Sequence, residues 1–302
     1  MPEDILRIKS ISQFHELIGF EKPKHPLISI IDVSKVKVDD NWFGKKFTTS
    51  LYSIALKDAS CAFEYGRNHY DFNEGVMIFT GPDQVIKTNQ EQPMKKINGW
   101  MMYFHPDLIR NTSLGTNIEN YSFFSYDVHE ALHLSDQEQN SVTDCVNMIQ
   151  QEVSERIDNH SQRVIVSSLE LLLNLCNRYY ERQFNTRTAS NKDIVSQMEI
   201  LLKNYYLSGK LSEQGQPTMQ YCADELHLSP NYLSDLLKKE TGRSAKDHIS
   251  DFVVDKAKTM LLGSTESIGE IAYQLGYNYP HYFSRFFKSK TGFSPQEYRT
   301  QN

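Results

Sequence analysis

The sequence lacks a long apolar run. No segment approaches the roughly 18 consecutive apolar residues that a membrane-spanning helix requires. The first seven residues, Met1 to Arg7, are charged and lack the apolar stretch of a secretory signal. We therefore expect a cytoplasmic protein without membrane contacts, whose 39% hydrophobic, 12% aromatic and 23% charged residues are typical of a globular chain.

Cysteine is scarce as well. The four cysteines, Cys61, Cys145, Cys176 and Cys222, are far apart in sequence and form no CxxC pair. This spacing argues against a zinc knuckle and against a compact disulfide framework. We expect reduced, mostly buried thiols, and we assign no metal and no other cofactor.

Basic residues are also few relative to acidic ones. The formal net charge of −6 is unfavourable for a protein that binds nucleic acid, because backbone phosphates attract basic surfaces. The distribution of charge along the chain, and not its total, must therefore decide whether the protein binds nucleic acid. The chain of 302 residues is long enough for about two domains of roughly 150 residues each.

Short runs of β-branched and aromatic residues occur early in the chain. They cover residues 27–33, 47–56, 76–79 and 100–104, and turn residues separate them. Runs of this length and spacing predict a small antiparallel barrel or jelly roll. Five residues could line an effector pocket, although strand aromatics more often form simple core. They are Phe63, Tyr65, Trp100, Met102 and Tyr103.

Helical periodicity begins after residue 134. Ser135 and Glu138 have the spacing of a capping box, and a second helix is predicted over 164–180. These helices, in the segment 135–182, either pair with a second copy of the chain or cover the open side of the barrel. The polar segment 183–192 has no periodicity and is predicted to be an interdomain linker.

An internal repeat follows the linker. At a fixed offset of 50 positions, six residues are identical and three are apolar in both copies, from Tyr232 and Tyr282 to Ser244 and Ser294. An upstream helix precedes each copy, with a small residue at its centre, Ala223 or Ala272. Short turns join the helices, which predicts two helix-turn-helix units at about 218–242 and 267–292.

The segment 244–262 between the units has the apolar stripe of one continuous helix. A helix of about 18 residues is roughly 27 Å long, which is comparable to the 34 Å of one duplex turn. The two second helices can therefore reach adjacent major-groove segments of double-stranded DNA.

The repeat resembles the AraC/XylS family of transcription regulators over residues 194–299. The resemblance rests on four motifs: Ser229-Pro230-Asn231-Tyr232-Leu233-Ser234, Ile271-Ala272-x-x-Leu275-Gly276-Tyr277, Tyr282-Phe283-Ser284-Arg285-x-Phe287-Lys288 and Thr291-Gly292-x-Ser294-Pro295-x-x-Tyr298-Arg299. It implies an α+β multidomain protein with a cupin-like β jelly roll at 1–134, appended helices, and an all-α DNA-binding domain at 193–302.

The same resemblance implies a sequence-specific regulator. A small-molecule effector or a partner would act on the N-terminal domain, which would also form a homodimer. An activator would in addition contact RNA polymerase. The alternative is an N-terminal domain that only dimerises and senses nothing.

Eight side chains are predicted to face the DNA. They are Asn231, Ser234, Asp235 and Lys238 in the first unit and His281, Ser284, Arg285 and Lys288 in the second. Arg285 can form a bidentate contact with guanine, and Asn231 with adenine. Lys238, Lys288 and Lys290 are expected on phosphate. The inward set is predicted to be Tyr232, Leu233, Leu236, Leu237, Tyr282, Phe283, Phe286 and Phe287.

Acidic residues in the same segment reduce the expected affinity for DNA. Asp235 stands where the family often has arginine, so it either accepts a hydrogen bond from cytosine or weakens the first unit. From Asp193 onward, 12 Lys/Arg face 13 Asp/Glu, a net charge of −1, whereas 281–290 holds three basic residues and no acid. We expect a local basic stripe, modest affinity and a shallow salt dependence.

Two enzyme signatures compete with this interpretation. His129-Glu130-x-x-His133 matches the HExxH pattern of zinc proteases, but that chemistry needs a continuous helix, and Ser135 starts a new one. We expect a loop with surface histidines. The histidines of the β-rich half, such as His69 and His105, are isolated, and Gln84 stands where related sensors often carry histidine, so we expect no enzyme.

Overall fold

The computed structural model describes residues 6–36, 46–58, 71–87, 98–155 and 157–301. The chain divides into two compact units, Met1–Arg187 and Thr188–Asn302. Cys61, Phe63, Tyr65 and His69 lie outside the described residues. Within the described ranges, no helix combines the length and the apolar character needed to cross a membrane.

The described strands of the first unit form two sheets. They are β1 (Leu6–Ile8), β2 (Ile28–Asp32), β3 (Lys46–Thr49), β4 (Tyr52–Asp58), β5 (Gly75–Thr80), β6 (Val85–Lys87), β7 (Gly99–Phe104) and β8 (Leu132–Leu134). The five-stranded sheet has the order β2-β7-β4-β5-β8 and is antiparallel throughout. The three-stranded sheet has the order β1-β3-β6, with β1 parallel to β3.

The run 47–56, predicted as one element, is divided between the two sheets. β3 belongs to the smaller sheet and β4 to the larger one. The amide of Ser50 donates to Ile8 O (2.9 Å), and the amide of Leu51 donates to Thr49 Oγ1 (3.1 Å). The Ser50 amide thus makes the last bond to β1, and the Leu51 amide bonds a side chain, so the chain leaves the smaller sheet here and enters the larger one.

Four α-helices are described in the first unit. They are α1 (Ile11–Leu17), α2 (Ser113–Asn117), α3 (Asp136–Ser154) and α4 (Ser161–Thr186). α3 begins at the predicted capping box, in which Ser135 and Glu138 bond each other's backbone amides. α3 and α4 pack against each other; α3 contacts β2 and β8, and α4 contacts β8. The helix pair therefore covers both edges of the larger sheet.

The side chain of Gln183 completes the outer edge of β8. Its Oε1 accepts a hydrogen bond from His133 N (2.8 Å), and its Nε2 donates to Ala131 O (3.0 Å). One amide side chain thus satisfies two backbone groups that a further strand would otherwise pair. The expectation of surface histidines is wrong for His133, because this strand buries its side chain completely; His129 is exposed.

Residues 183–192, expected to form an irregular linker, are helical except at Arg187. α4 ends at Thr186, and α5 (Thr188–Leu207) begins after this single residue. Arg187 Nε and Nη2 donate to the two carboxylate oxygens of Asp71 at 2.9 and 2.6 Å, and both side chains are buried. The polar composition of this segment therefore reflects specific side-chain bonds at the end of a helix.

The second unit is helical throughout its described residues. After α5 follow α6 (Lys210–Gln214), α7 (Met219–Glu225), α8 (Pro230–Thr241), α9 (Ala245–Gly263), α10 (Ile268–Gln274), α11 (Pro280–Thr291) and α12 (Pro295–Gln301). Two apolar clusters stabilise it. One surrounds Leu233 and Leu237 of α8, and the other surrounds Phe283 and Phe287 of α11.

Cys145, Cys176 and Cys222 are buried free thiols, which confirms the prediction for these three cysteines. Burial raises the pKa of Cys176 well above the usual range of a thiol and raises the pKa of Cys222 to about 11. Because the thiolate is the reactive form of cysteine, burial disfavours reaction at both side chains.

Candidate nucleic-acid interface

Two pairs of helices, α7 with α8 and α10 with α11, form the predicted helix-turn-helix units. Thr218 caps α7, Ser229 caps α8 and Ser267 caps α10, each through its hydroxyl. Ala223 and Ala272, at the centres of α7 and α10, are wholly buried. Side chains this small let the second helix of each unit approach closely.

The repeat extends to the backbone of the second helices. α8 and α11 each have 12 residues and proline at the first position, and each ends at a glycine, Gly242 or Gly292, with φ of 74° and 84°. Thr241 Oγ1 donates to Leu237 O (2.7 Å), and Thr291 Oγ1 donates to Phe287 O (2.8 Å). The two units therefore position their second helices by the same local bonds.

The turns differ between the units. His227 and Gly276, one residue after Leu226 and Leu275, both have positive φ, of 56° and 77°. A Cβ at Gly276 would lie 2.4 Å from Leu211 O, which no real side chain tolerates. Glycine is therefore required in the second turn by packing as well as by backbone conformation.

Helix α9 connects the two units. Its 19 residues correspond to a length of about 28 Å. Ile249 on α9 belongs to the same apolar cluster as Leu233 and Leu237 of α8, whereas Val253 and Leu261 belong to that of Phe283 and Phe287. One helix thus contributes to the cores of both units and sets the distance between their second helices.

The eight side chains predicted to face DNA lie on α8 and α11. In each helix they are spaced i, i+3, i+4, i+7 and so share one face. Lys238, His281, Arg285 and Lys288 are exposed, and the other four are half-buried. Ser284 Oγ donates to Pro280 O (3.1 Å), so this hydroxyl proton is already engaged within the helix.

The predicted inward set is buried, with two departures in the second unit. All four members on α8 are buried, as are Phe283 and Phe287 on α11, and Phe286 is half-buried. The prediction is wrong for Tyr282, which is 54% exposed. Its ring contacts Tyr279 and His281 at the start of α11 instead of the core. The sequence signal that was missed is Tyr279, which stands in the capping position that Ser229 holds in the first unit.

Charges are arranged differently on the two second helices. No acid occurs between residues 275 and 296, whereas the corresponding stretch of the first unit contains Asp235 and Glu240. Arg285 is exposed and forms no ion pair with any described residue. Lys290, expected on phosphate, lies 3.7 Å from Asp247 and 3.9 Å from Asp251 of α9. The basic stripe therefore centres on Arg285 and Lys288.

Three capping carboxylates, Asp247, Glu270 and Glu297, lie at the starts of α9, α10 and α12. Each accepts a hydrogen bond from the backbone amide of the serine that precedes its helix. These hydrogen bonds from Ser244, Ser267 and Ser294 lower the pKa of each carboxyl below its ordinary range. All three therefore stay ionised in the folded protein at neutral pH.

A cavity of about 310 Å³ lies on the first unit, between α1, β2 and the end of α3. At its base, His15 Nδ1 donates to Glu21 O, and His15 Nε2 lies 2.7 Å from Ser29 Oγ. Since a carbonyl can only accept, Nδ1 of His15 is the donor in its bond with Glu21 O. Lys22, Lys24 and Lys35 line the rim.

Three of the five residues considered for an effector pocket are described, and of these Met102 is buried whereas Trp100 and Tyr103 are half-buried. Met102 is wholly buried, and burial raises the pKa of Tyr103 far above its usual range. Gln84 Nε2 donates to Phe124 O (2.7 Å), and Gln84 Oε1 accepts from the Gly81 amide. Among the described residues, no group of three His, Cys, Asp or Glu side chains is placed to hold a metal ion.

A family comparison finds a known domain within the second unit. A helix-turn-helix domain family matches residues 222–301. The chain is 34% identical over 82 residues to the uncharacterized HTH-type transcriptional regulator YobQ of Bacillus subtilis, which is 27% of this chain and 34% of that protein. It is 32% identical over 77 residues to the HTH-type transcriptional activator RhaS of Citrobacter koseri, which is 26% of this chain and 28% of that protein.

One solved structure, the C-terminal domain of AraT, a response regulator from Geobacillus stearothermophilus, is 33% identical. The alignment covers 36% of this chain and 85% of that domain, with a TM-score of 0.32. The chain spans between 11% and 34% of the length of three curated relatives that it matches. These matches therefore relate a part of this chain to a part of each of these curated relatives.

Proposed function

Because the chain belongs to the AraC/XylS family through its C-terminal helix-turn-helix domain, we propose that the protein is a transcription regulator. It binds double-stranded DNA with α8 and α11 in two adjacent major-groove segments. The observation that carries this proposal is the pair of 12-residue second helices, which both begin with proline and end at a glycine, and which share apolar clusters with the single 19-residue helix α9.

The two helices contribute unequally to binding. α11 presents Arg285 and Lys288 on an acid-free segment, whereas α8 carries Asp235 and Glu240. Phosphates therefore attract the second unit more strongly than the first. We propose that Arg285 contacts guanine and that Asn231 and Asp235, which have shorter side chains, also contact base edges. Lys238 and Lys288 contact phosphate.

The test is selection of binding sites from a random duplex library with the full-length protein. Arg285→Ala and Lys258→Ala are run in parallel. Lys258→Ala is the control, because it removes the same charge at a position on α9, beside Asp255. We expect two blocks about one helical turn apart and the loss of one guanine with Arg285→Ala only. A protein that selects no site at low salt, with or without small molecules, contradicts the proposal.

We further propose that a small anionic effector occupies the cavity beside His15. Three lining lysines outnumber the two lining acids, Glu21 and Asp32, and His15 and Ser29 add polar side chains to the lining. Thermal shift measurements with panels of small carboxylates, phosphates and neutral molecules test this idea. Stabilisation by an anion that also changes DNA affinity supports effector control. No shift with any compound leaves the alternative, a first unit that only dimerises.

Dimerisation is proposed through the outer face of α4. Val164 and Leu171, seven residues apart on this helix, are 43% and 48% exposed, and Met148 of α3 is 47% exposed. Leu171→Lys is expected to convert a dimer into a monomer in light-scattering measurements. A monomeric parent protein, or a variant that remains dimeric, contradicts this assignment. A contact with RNA polymerase follows only if bound protein raises transcription in vitro.

No enzymatic activity is part of this proposal. One relative is described as a bifunctional transcriptional activator and DNA repair enzyme, AdaA of Bacillus subtilis, at 34% identity over 82 residues. That match covers 27% of this chain, and its 82 residues are close to the combined length of the two helix-turn-helix units and the helix α9 between them. Metal analysis of the purified protein discriminates the zinc hydrolase and cupin oxygenase alternatives, because either requires a stoichiometric metal.

A further inference from the structure

Three rings form an exposed cluster at the start of α11, here called the aromatic patch: Tyr279, His281 and Tyr282. Ring centroids are 5.7 Å apart for Tyr279 and His281, 5.9 Å for Tyr279 and Tyr282, and 4.2 Å for His281 and Tyr282. Tyr279 is 59% exposed and Tyr282 is 54% exposed. Clustered aromatic rings in water mark an interaction surface.

Tyr279 occupies a position at which helix stability favours a different residue. Ser229 holds the equivalent position before α8, and its hydroxyl accepts a hydrogen bond from Tyr232 N (3.3 Å). The caps of the neighbouring helices α7, α9 and α10 also bond through their hydroxyls; they are Thr218, Ser244 and Ser267. The Tyr279 side chain forms no capping bond. A residue that gives up both capping and burial indicates a role in binding.

The charge around the aromatic patch identifies the occupant as a polyanion. Arg285 follows His281 by one helical turn, and the whole segment 275–296 is free of acids. The patch is therefore continuous with the basic face of α11. In a helix-turn-helix unit, the N-terminal residues of the second helix are the ones that reach base edges.

We propose that the aromatic patch reads the 5-methyl group of thymine, next to the guanine that Arg285 reads. This inference rests on the proposed function. Apolar contact with the methyl group is the means by which uncharged side chains recognise thymine in the major groove. The patch thereby makes the second unit specific for a thymine and guanine combination, which neither Arg285 nor the lysines supply alone.

The experiment uses full-length protein and the selected binding site. The segment that loses its guanine with Arg285→Ala is the one that α11 contacts. Thymines are replaced there by deoxyuridine, which lacks only the methyl group, and in the other segment as a control. Binding is measured for the parent protein, Tyr279→Ser, Tyr279→Phe and Tyr273→Ser. Tyr273 is 55% exposed on α10 and lies outside the patch.

We expect deoxyuridine in the α11 segment to weaken parent binding about fourfold, the value of one buried methyl group. Tyr279→Phe and Tyr273→Ser are expected to keep this discrimination, and Tyr279→Ser to lose most of it. Tyr279→Ser is also expected to melt about 3 °C higher, because it restores a helix cap. That rise shows that the lost discrimination does not come from unfolding.

Two results would overturn the inference while leaving the proposed function intact. One is a parent protein that binds thymine and deoxyuridine sites equally well. The other is a Tyr279→Ser variant that discriminates as strongly as the parent. Absence of any DNA binding is a distinct outcome, since it removes the proposed function itself.

Discussion

Replacing Gln183 by leucine tests whether this residue belongs to an irregular linker or to the folded first unit. The side chain is 1% exposed, and its amide bonds both His133 N and Ala131 O on strand β8. Leucine has a similar volume but can form neither bond. The change therefore leaves one buried amide and one buried carbonyl without this partner, while packing is nearly preserved.

The expected loss follows from these two groups. Each buried backbone group that loses its partner costs about 2 kcal/mol, and the added apolar burial of leucine returns about 1 kcal/mol. The free energy of unfolding is therefore expected to fall by about 3 kcal/mol. For a unit of this size, the melting temperature falls by about 6–12 °C.

Urea denaturation followed by tryptophan fluorescence is the appropriate assay. Trp100 lies in strand β7 of the first unit and the second unit contains no tryptophan, so the emission carries no signal from the second unit. Asn177→Leu is the matched control, since it makes an amide-to-leucine change at an exposed position of α4. A loss below about 1 kcal/mol for Gln183→Leu, similar to the control, would refute the role of this amide.

Three further outcomes follow from the second unit. Gly276→Ala is expected to destabilise it by more than about 2 kcal/mol, whereas His227→Ala at the same turn costs little; equal calorimetric losses would contradict this. Asp251→Asn is expected to free Arg243, now 3.1 Å away, for phosphate. The slope of log affinity against log salt is then expected to steepen by about 0.9. An unchanged slope would show that Arg243 does not gain a phosphate contact. Because folding lowers the pKa of the capping carboxylates, their stabilisation is present above their ordinary pKa values of 3.8 and 4.5. This stabilisation is lost as the pH falls through the lowered pKa values. Circular dichroism between pH 6 and pH 3 measures the loss of helix, and Glu297→Gln is expected to flatten the dependence of helix content on pH.

Local signals in the sequence were sufficient to predict the helices of the two helix-turn-helix units. The repeat at an offset of 50 residues contains the same local features twice. These are the small residues Ala223 and Ala272 and the glycines Gly242 and Gly292, each of which acts within a few residues of its position. The same is true of the capping box at Ser135, where α3 begins. Such features are predictable because the bonds that they form are short in sequence.

The error over residues 183–192 involves partners that are distant in sequence. Arg187 bonds Asp71 across 116 residues, and Gln183 bonds His133 across 50. Composition alone made their segment resemble a linker, because a polar side chain looks the same whether water or a buried partner satisfies it. The error at Tyr282 has a different cause, because its ring contacts are local and periodicity cannot distinguish this exposed residue from its buried counterpart Tyr232.

The capping carboxylates also change the meaning of the charge count. They account for three of the 13 acids after residue 192, and each lies at the N-terminus of a helix. The macrodipole of an α-helix places about half a positive charge at that end, which offsets much of the field of a carboxylate. The formal charge of this segment therefore overstates its repulsion of phosphate, and a domain with nearly balanced charges can still present a cationic face.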